Sequence, residues 1–471
     1  MLARRDPYMR SVKQTGDGHR DGWAPNPAGW RDRFAMLVLL LGFKLLLDVA
    51  YASVVARDFS YAGYLLEIDR NALNTSYVVI GLWALVLPVR SPNVAPKLFT
   101  IVFLLTMLPI STFYPMSGEA PGYFIACNVF FGVMGVIMLL LPPLAVQFSV
   151  PHGRWIFIVL AAAFVAATIV MAHRRGGFAL ATIDIGNVYD VRHAIQDNVL
   201  FGPLAYLSSW SGKVILPALL VVGLWMRAWS VAIIALFLSV VVFAVTSAKE
   251  MLVFPIGAAI AFYLARSPRL LLWSVLGLIA LVAATLLLDR WRGEGDVILV
   301  SAIVLQRALF AQAKIGCDYV EFFRDNPHTY WSNAFLSGIV ENPYTEPVPM
   351  IIGYGSWGSG IEAFANAGVV GSAIMHFGMG GVIGFAFVTA VLFRLVDILA
   401  RHRMPPNVAL AVALPGALQF VNGDLSATLL SHGFAVTLLT LWLIGDGSLK
   451  PRKTLQLRSL LARPVTPAAS R

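Results

Sequence analysis

Stretches of about 20 apolar residues recur along this chain from residue 34 to residue 444. A helix of that length crosses the roughly 30 Å hydrocarbon core of a membrane. The composition agrees, because 58% of the residues are hydrophobic and only 13% are charged, whereas soluble domains carry roughly 25% charged residues. The sequence therefore predicts an all-α polytopic membrane protein.

The apolar pattern predicts about twelve transmembrane helices. The predicted spans are 34–56, 72–88, 98–114, 123–148, 155–172, 214–226, 229–245, 251–265, 270–288, 364–400, 408–421 and 425–444. Span 364–400 is longer than one crossing requires, which indicates a tilted helix or one that extends beyond the bilayer. Within it, Gly380 and Gly384 have the spacing that allows close helix packing.

The distribution of charge orients these spans. Lysine and arginine concentrate on the side of the N-terminus, and every short connecting segment on that side carries at least one of them. Cytoplasmic loops of membrane proteins have this excess, so both termini are predicted to be cytoplasmic. The net charge of +10 then reflects orientation beside anionic membrane lipid and indicates no nucleic-acid partner.

This topology divides the chain into three regions. Residues 1–33 form a predicted cytoplasmic N-terminal tail, residues 34–444 form the transmembrane domain, and residues 445–471 form a basic cytoplasmic tail. The two largest segments between spans, 173–213 and 289–363, fall on the outer side of the membrane. They hold much of the charge outside the tails, so the functional site is predicted there.

Two pairs of charges near the N-terminus each allow two interpretations. Lys44 and Asp48 lie four residues apart in the first span, where they form either a self-contained ion pair or a contact for a lipid phosphate. Glu67 and Asp69 lie in the first outer segment. They are either ordinary loop acids or ligands for a divalent cation bound to a phosphate, since hard cations prefer carboxylate oxygens.

Segment 289–363 contains a predicted amphipathic helix over residues 297–325. Apolar residues recur every three or four positions along it, and charged residues form the opposite stripe. Asn326 and Pro327 end the helical pattern. Such a helix is expected to lie on or in the outer mouth of the membrane domain, while residues 353–360 are expected to form an irregular glycine-rich loop.

Basic residues on the outer side are candidates for binding a diphosphate, because guanidinium groups match phosphate oxygens and ammonium groups attract them. The residues predicted for this role are Arg192, Lys249, Arg290, Arg307 and Arg324.

Two residues are candidates for the general base of a transfer reaction. His328 lies in an aromatic loop after the amphipathic helix, and imidazole exchanges protons near neutral pH. Glu362 lies at the outer end of span 364–400. His376, roughly 20 Å into that span at 1.5 Å per residue, is expected to form an interhelical hydrogen bond instead.

The run from Gly358 to Gly371, Gly-Ser-Gly-Ile-Glu-Ala-Phe-Ala-Asn-Ala-Gly-Val-Val-Gly, resembles the segment after the large periplasmic loop of Wzy-type O-antigen polymerases. The twelve-span plan, the tight turn Ser247-Ala248-Lys249, Arg307 at the start of a long loop helix, and the stretch from Asp424 to Gly433 are similar as well. Related ligases carry His-Asn where this chain has Ser359-Gly360, which argues against a ligase.

The resemblance implies a GT-C-like glycosyltransferase of the bacterial inner membrane. Its donor and acceptor would be undecaprenyl-diphosphate-linked oligosaccharide repeat units, polymerised at the periplasmic face without a metal or other cofactor, and a chain-length-regulating co-polymerase would be a partner. Two alternatives stay open. One is a metal-dependent lipid-phosphate-sugar glycosyltransferase that uses Glu67 and Asp69, and the other is a lipid-linked oligosaccharide flippase.

Overall fold

The computed structural model describes residues 29–141, 149–178, 201–246, 248–291, 299–357 and 364–445. Both predicted tails lie outside these ranges, apart from residues 29–33 and Gly445. In the described ranges the backbone is helical apart from turns and two isolated bridges. Its helices are α1 Trp30–Asp58, α2 Arg70–Val86, α3 Ala95–Met116, α4 Gly122–Leu140, α5 Gly153–Arg174, α6 Pro203–Met226, α7 Trp229–Thr246, α8 Glu250–Leu264, α9 Leu270–Trp291, α10 Leu299–Asp325, α11 Val348–Trp357, α12 Gly368–Ala400, α13 Pro406–Asn422, α14 Leu425–Leu429 and α15 Phe434–Ile444.

The all-helical polytopic architecture agrees with the sequence prediction. Ten helical stretches in the described ranges are long and apolar enough to cross a membrane. Three more of the predicted spans are helical but shorter, with 17 residues in α2, 15 in α8 and 17 in α13. A large apolar core joins the helices, while many apolar side chains on their outer faces stay exposed, as expected of surfaces that face lipid.

Two predicted boundaries are wrong. Helix α6 begins at Pro203 and not near residue 214, so Lys213 lies inside a helix within a π-helical turn, Ser211–Ile215. Residues Val348–Trp357, predicted in part as an irregular loop, form α11. Apolar stretches do not mark such boundaries, because polar residues also continue a helix whenever neighbouring helices satisfy them.

Helix α10 is the predicted amphipathic helix, and it ends at Asp325 as expected. It is among the ten helical stretches that are long and apolar enough to cross a membrane. The residues that it contacts nevertheless all lie at one end of the bundle. In chain order, Phe310 packs on Tyr51, Lys314 on Gly63, Gly316 on Tyr123 and Tyr319 on Ala365. These partners lie where α1 ends, where α4 begins and just before α12 begins. Successive spans alternate in direction, so these termini share one end, which we call the mouth end.

Helix α12 is broken rather than simply tilted. Phe377 has φ −145° and ψ 15°, and Gly378 has φ 60° and ψ −146°, so both residues leave the helical conformation. The break separates the nine residues from Gly368 to His376, at the mouth end, from the rest of α12. The predicted packing role of Gly380 and Gly384 is wrong, because a Cβ at either position would have no neighbour within 4 Å.

The ion-pair interpretation of Lys44 and Asp48 is confirmed. The Lys44 Nζ atom lies 2.5 Å from Asp48 Oδ1, and Lys44 is fully buried. The hydroxyls of Tyr77 and Thr112 both donate to the Asp48 carboxylate at 2.7 Å. The pair is thus neutralised and hydrogen-bonded within the bundle, as a charge in a membrane requires.

Asp69 caps a helix. One of its carboxylate oxygens accepts hydrogen bonds from the backbone N–H groups of Asn71 at 2.8 Å and Ala72 at 3.1 Å, which satisfies the start of α2. Glu67 packs against Gly118, where an added Cβ would lie 2.9 Å from Glu67 Oε2. The described residues contain no group of three or more acidic, histidine or cysteine side chains placed to hold a metal ion.

Asp69→Ala is expected to lower the stability of the protein by about 1 kcal/mol, the usual effect of losing a helix cap. Asp69→Asn should lose little of this stability, because the side-chain oxygen of asparagine also accepts hydrogen bonds from the first N–H groups of a helix. The measurement is thermal unfolding in detergent together with activity. Near-normal activity of both variants is expected, whereas complete loss of activity in both with intact folding would return Asp69 to the metal hypothesis.

Candidate functional site

The loop after α10 fills the break in α12. The backbone N–H of Thr329 donates to the Met375 carbonyl at 3.0 Å, and that of Tyr330 donates to the His376 carbonyl at 3.2 Å. A continuous helix would satisfy these carbonyls from residues four positions later, which the break prevents. The backbone N–H groups of the loop thus supply the hydrogen bonds that the carbonyls at the break would otherwise lack. The loop and the break therefore each depend on the other for their conformation.

A buried histidine ties this loop to the end of α13. His376, 1% exposed, places Nε2 3.1 Å from Asp424 Oδ2. Its Nδ1 lies 2.7 Å from the Thr329 hydroxyl and 3.3 Å from the backbone nitrogen of Trp331. Because that backbone N–H can only donate, Nδ1 accepts and Nε2 carries the proton that Asp424 receives as a hydrogen bond.

Asp424 is an anchor. Burial alone would raise the pKa of this carboxyl group, but the hydrogen bonds from His376 and Ser426 outweigh burial and hold the pKa at about 2. Asp424 Oδ1 also accepts the backbone N–H of Ser426 at 2.8 Å. A carboxylate so stabilised is a weak proton acceptor, so its role is to position His376.

The loop from His328 to Ser332 carries strain and unsatisfied polar groups. Tyr330 has φ 47° and Trp331 has φ 59°, so two successive non-glycine residues adopt the left-handed conformation. Among the described residues, no hydrogen-bond partner reaches the buried atoms His328 Nδ1, Trp331 Nε1 and Ser332 Oγ. Strained backbone and unsatisfied buried groups concentrate at functional sites.

His328 lies directly over the break in α12. Its ring stacks on Phe323, with centroids 5.7 Å apart and an interplanar angle of 19°. A Cβ added at Gly378 would lie 3.1 Å from His328 Nε2, so glycine lets the ring sit close to the backbone. The ring is partly exposed while its Nδ1 atom is buried without a partner among the described residues. The ring of this predicted base is thus partly accessible, and one of its nitrogens is left unsatisfied by the described residues.

Aromatic rings line the loop that carries this histidine. The Trp331 ring lies 5.1 Å from the Phe377 ring and 5.6 Å from the Phe385 ring. Tyr330 and Phe335 each leave 48% of their surface exposed at the edge of this cluster. Exposed aromatic faces suit the apolar faces of sugar rings, and the aromatic composition of the loop was the sequence signal for this feature.

A second buried network adjoins the first. Lys213 Nζ lies 2.9 Å from Glu250 Oε1, 3.1 Å from His432 Nδ1 and 3.4 Å from Gln419 Oε1. A Cβ at Gly423 would lie 2.9 Å from His432 Cδ2 and 3.0 Å from the Gln419 carbonyl. Because Asp424 follows Gly423 in the chain, the two networks meet at the turn after α13.

The predicted diphosphate-binding residues occupy separate places. Lys249 immediately precedes α8 and adjoins Glu250, the partner of Lys213. Arg290, near the end of α9, and Arg307, on α10, are exposed. Arg324, at the other end of α10, is exposed and pairs with Asp325 at 3.2 Å. Arg192 and the alternative base Glu362 lie outside the described residues.

The length of α10 separates two groups of arginines. Arg307 and Arg324 are about 25 Å apart along the helix at its rise of about 1.5 Å per residue. Arg290 belongs with Arg307, because Asp289 lies 3.5 Å from Ser301 near the start of α10. Arg324 belongs with His328, four residues further on. One diphosphate cannot contact both groups.

Sequence reasoning missed the places of His376 and Lys213 in these buried networks. His376 was expected to form an interhelical hydrogen bond, and its bonds do join separate elements, but their meeting at a strained loop has no local signal. Lys213 was assigned to an outer segment, although an isolated lysine just before an apolar run was a usable signal. Asp424 and His432 lie in the stretch from Asp424 to Gly433, for which the sequence predicts a resemblance but no role of an individual residue.

Comparison with family models finds none that matches this chain, and comparisons with curated proteins and with solved structures find no match either. The fold and the site therefore define a class, a multi-pass helical membrane protein with a polar and aromatic centre at one end of its bundle.

Proposed function

We propose that this protein is a bacterial inner-membrane glycosyltransferase that polymerises undecaprenyl-diphosphate-linked oligosaccharide repeat units at the periplasmic face. The observation that carries the proposal is the strained aromatic loop at the mouth end, where His328 keeps a buried nitrogen without a partner among the described residues. A base beside exposed aromatic faces suits the activation of a sugar hydroxyl. The resemblance at residues 358–371 points to the same reaction.

In the proposed reaction, the partly exposed imidazole of His328 accepts the proton of an acceptor sugar hydroxyl. The acceptor oxygen forms a bond to C1 of the donor sugar, while the bond between C1 and the diphosphate oxygen breaks and the electron pair leaves with the diphosphate. The His328 proton then passes to water or to the diphosphate. Glu362 is the alternative base. His376 and Asp424 touch no reacting atom, and they position the loop that carries His328.

The two arginine groups along α10 suit two lipid-linked substrates. The leaving diphosphate of the donor lies at the reacting carbon. Of the predicted cations on α10, Arg324 is the nearest to that carbon. Lys249 lies near the adjoining network of Lys213 and Glu250. The acceptor's own diphosphate lies one repeat unit away from its reacting hydroxyl. Arg307 lies about 25 Å from Arg324 along α10, which is the span of a short oligosaccharide. Arg307 and its neighbour Arg290 are therefore placed for this second diphosphate. Arg192 is proposed to bind a diphosphate, either that of the donor or that of the acceptor.

The test is product formation by purified protein from lipid-diphosphate-linked repeat units, with excess EDTA and chain length read on a gel. A ladder that survives EDTA is expected. Arg307→Ala and Arg324→Ala should each reduce its formation about tenfold or more, because each removes charge stabilisation of a diphosphate. Arg269→Gln at the opposite end of the bundle is the control and should leave the ladder unchanged.

Two outcomes would replace this proposal. Loss of the ladder with EDTA and its return with Mg²⁺ or Mn²⁺ would favour the metal-dependent glycosyltransferase. No ladder from folded protein, together with transbilayer movement of the lipid-linked oligosaccharide in liposomes, would favour a flippase. The co-polymerase is proposed as a partner that sets chain length and not as a requirement for the ladder.

A further inference from the structure

The end of the bundle opposite the mouth contains a buried basic cluster, which we call the basal cluster. It consists of Asn93, Lys97, Arg394 and Asp397, at the start of α3 and near the end of α12. It lies at the other end of the spans from the loop that carries His328, so it takes no part in the proposed reaction.

Lys97 is a buried cation without a hydrogen-bond acceptor. Its side chain lies in the first turn of α3, and the residue is only 7% exposed. Within the described ranges no residue accepts a hydrogen bond from its ammonium group, and Asp397 is the charge that acts on it. A buried cation in this position is costly unless a partner neutralises it.

Asp397 is already engaged by other groups. Its Oδ1 atom accepts the backbone N–H groups of Val94 at 2.6 Å and Ala95 at 3.0 Å. Its Oδ2 atom accepts from Arg394 Nη1 at 3.3 Å. One carboxylate therefore faces two cations, and its bonds go to α3 and to Arg394, so a positive charge remains in the cluster.

The unsatisfied atoms of the cluster are all donors. Arg394 is 2% exposed, and its guanidinium also donates to the Met138 carbonyl. Its Nε atom and the Nδ2 atom of Asn93 are buried without a partner among the described residues. With the Lys97 ammonium, three donor groups thus lack acceptors around an excess positive charge. The amino-terminal end of a 22-residue helix adds its partial positive charge at the same place.

We propose that the basal cluster binds a phosphate group, either that of an anionic lipid headgroup or that of a soluble phosphate compound. A phosphate supplies only acceptors and negative charge, which are the two properties that the cluster lacks. The cluster lies at the ends of membrane-spanning helices, the depth at which lipid phosphates are found. Binding there would fasten α3 to α12 at the end of the bundle that the charge pattern predicts to be cytoplasmic.

The test is thermal unfolding of the detergent-purified protein with phosphatidylglycerol, phosphatidylcholine or inorganic phosphate added. Phosphatidylglycerol is expected to raise the Tm by about 5 °C at saturation, because a ligand stabilises the folded state that binds it. Lys97→Met should raise the Tm without added lipid, since it removes a buried unpaired charge, and should abolish the shift caused by phosphatidylglycerol. Arg269→Gln, which removes an exposed cation at the same end, should keep the full shift.

Each outcome decides the proposal. A shift with inorganic phosphate that Lys97→Met abolishes supports it with a soluble phosphate as ligand. If Lys97→Met does not fold, Asn93→Ala serves instead, and it should raise the concentration of phosphatidylglycerol needed for a half-maximal shift about threefold or more. No shift in the wild type, or equal shifts in the wild type and these variants, would overturn the proposal.

Discussion

On the proposed function, Asp424→Ala is expected to reduce polymer formation at least about 100-fold, because it removes the acceptor that holds His376 and, through His376, the loop that carries His328. The variant leaves the His376 Nε2–H group buried without a partner, which destabilises the fold by about 1–3 kcal/mol. The measurement is ladder formation at matched amounts of folded protein, with thermal unfolding alongside. His376→Ala should cause a loss of similar size.

A double-mutant cycle separates this role from general destabilisation. If Asp424 acts through His376, the variant that carries both substitutions should lose little more than either single variant. Ser426→Ala is the matched control, because it removes one hydrogen bond to Asp424 Oδ1 and leaves the contact with His376 intact. Full ladder formation by folded Asp424→Ala would show that the contact between Asp424 and His376 is not needed for polymer formation.

The contribution of Asp424 to the stability of the protein also has a predictable dependence on pH. The folded-state pKa of Asp424, about 2, lies below its ordinary value of roughly 3.9. A lowered acid pKa contributes stability that is complete above the ordinary value and is lost as the pH falls through the folded value. Asp424→Ala should therefore destabilise the protein fully at pH 5 and above, and progressively less below about pH 4.

Gly368→Ala is expected to destabilise the protein by about 3 kcal/mol or more. Gly368 has φ 63°, and a Cβ there would lie 2.1 Å from the Val421 carbonyl oxygen, a backbone atom that cannot move aside cheaply. Strained backbone and overpacking each cost about 1–3 kcal/mol. Since Val421 lies three residues before Asp424, the site should be lost with the packing.

A glycine in the same helix provides the control. Gly380 has no atom within 4 Å of an added Cβ, so Gly380→Ala should be stabilising by about 0.5–1 kcal/mol through its effect on the unfolded chain. The two substitutions are chemically identical and are expected to change the Tm in opposite directions. A Tm for Gly368→Ala equal to that of the wild type would contradict the described junction of α12 and α13.

Local pattern was sufficient to predict most of the long helices and to offer the ion pair in α1 as one of two interpretations, but it missed the start of α6 and the helix α11. The spacing of Lys44 and Asp48 places them on one face of a helix, and the apolar stripe of α10 shows which side of that helix is buried. The break at Phe377 and Gly378 was not predictable in this way. Several glycines follow one another there, and only the docking of Thr329 and Tyr330 on the freed carbonyls makes the break favourable.

The candidate site was predictable only residue by residue. His328 followed from its chemistry and its aromatic neighbours. Its surroundings depend on contacts between residues far apart in sequence, such as His376 with Asp424 and Lys213 with Glu250, which no spacing encodes. The arginines were predicted to share one role, although the spacing of Arg307 and Arg324 on one predicted helix already places them too far apart to contact one diphosphate.

The most direct test of the central claim compares ladder formation by the wild type, His328→Gln and His173→Gln in one EDTA-containing assay. His173 is an exposed histidine at the same end of the bundle and serves as the control. The account predicts normal ladders from the wild type and His173→Gln, and a rate about 10²–10⁴-fold lower for folded His328→Gln, the usual contribution of a general base. Equal ladders from all three proteins would contradict the role of His328, and no ladder from any of them would contradict the polymerase.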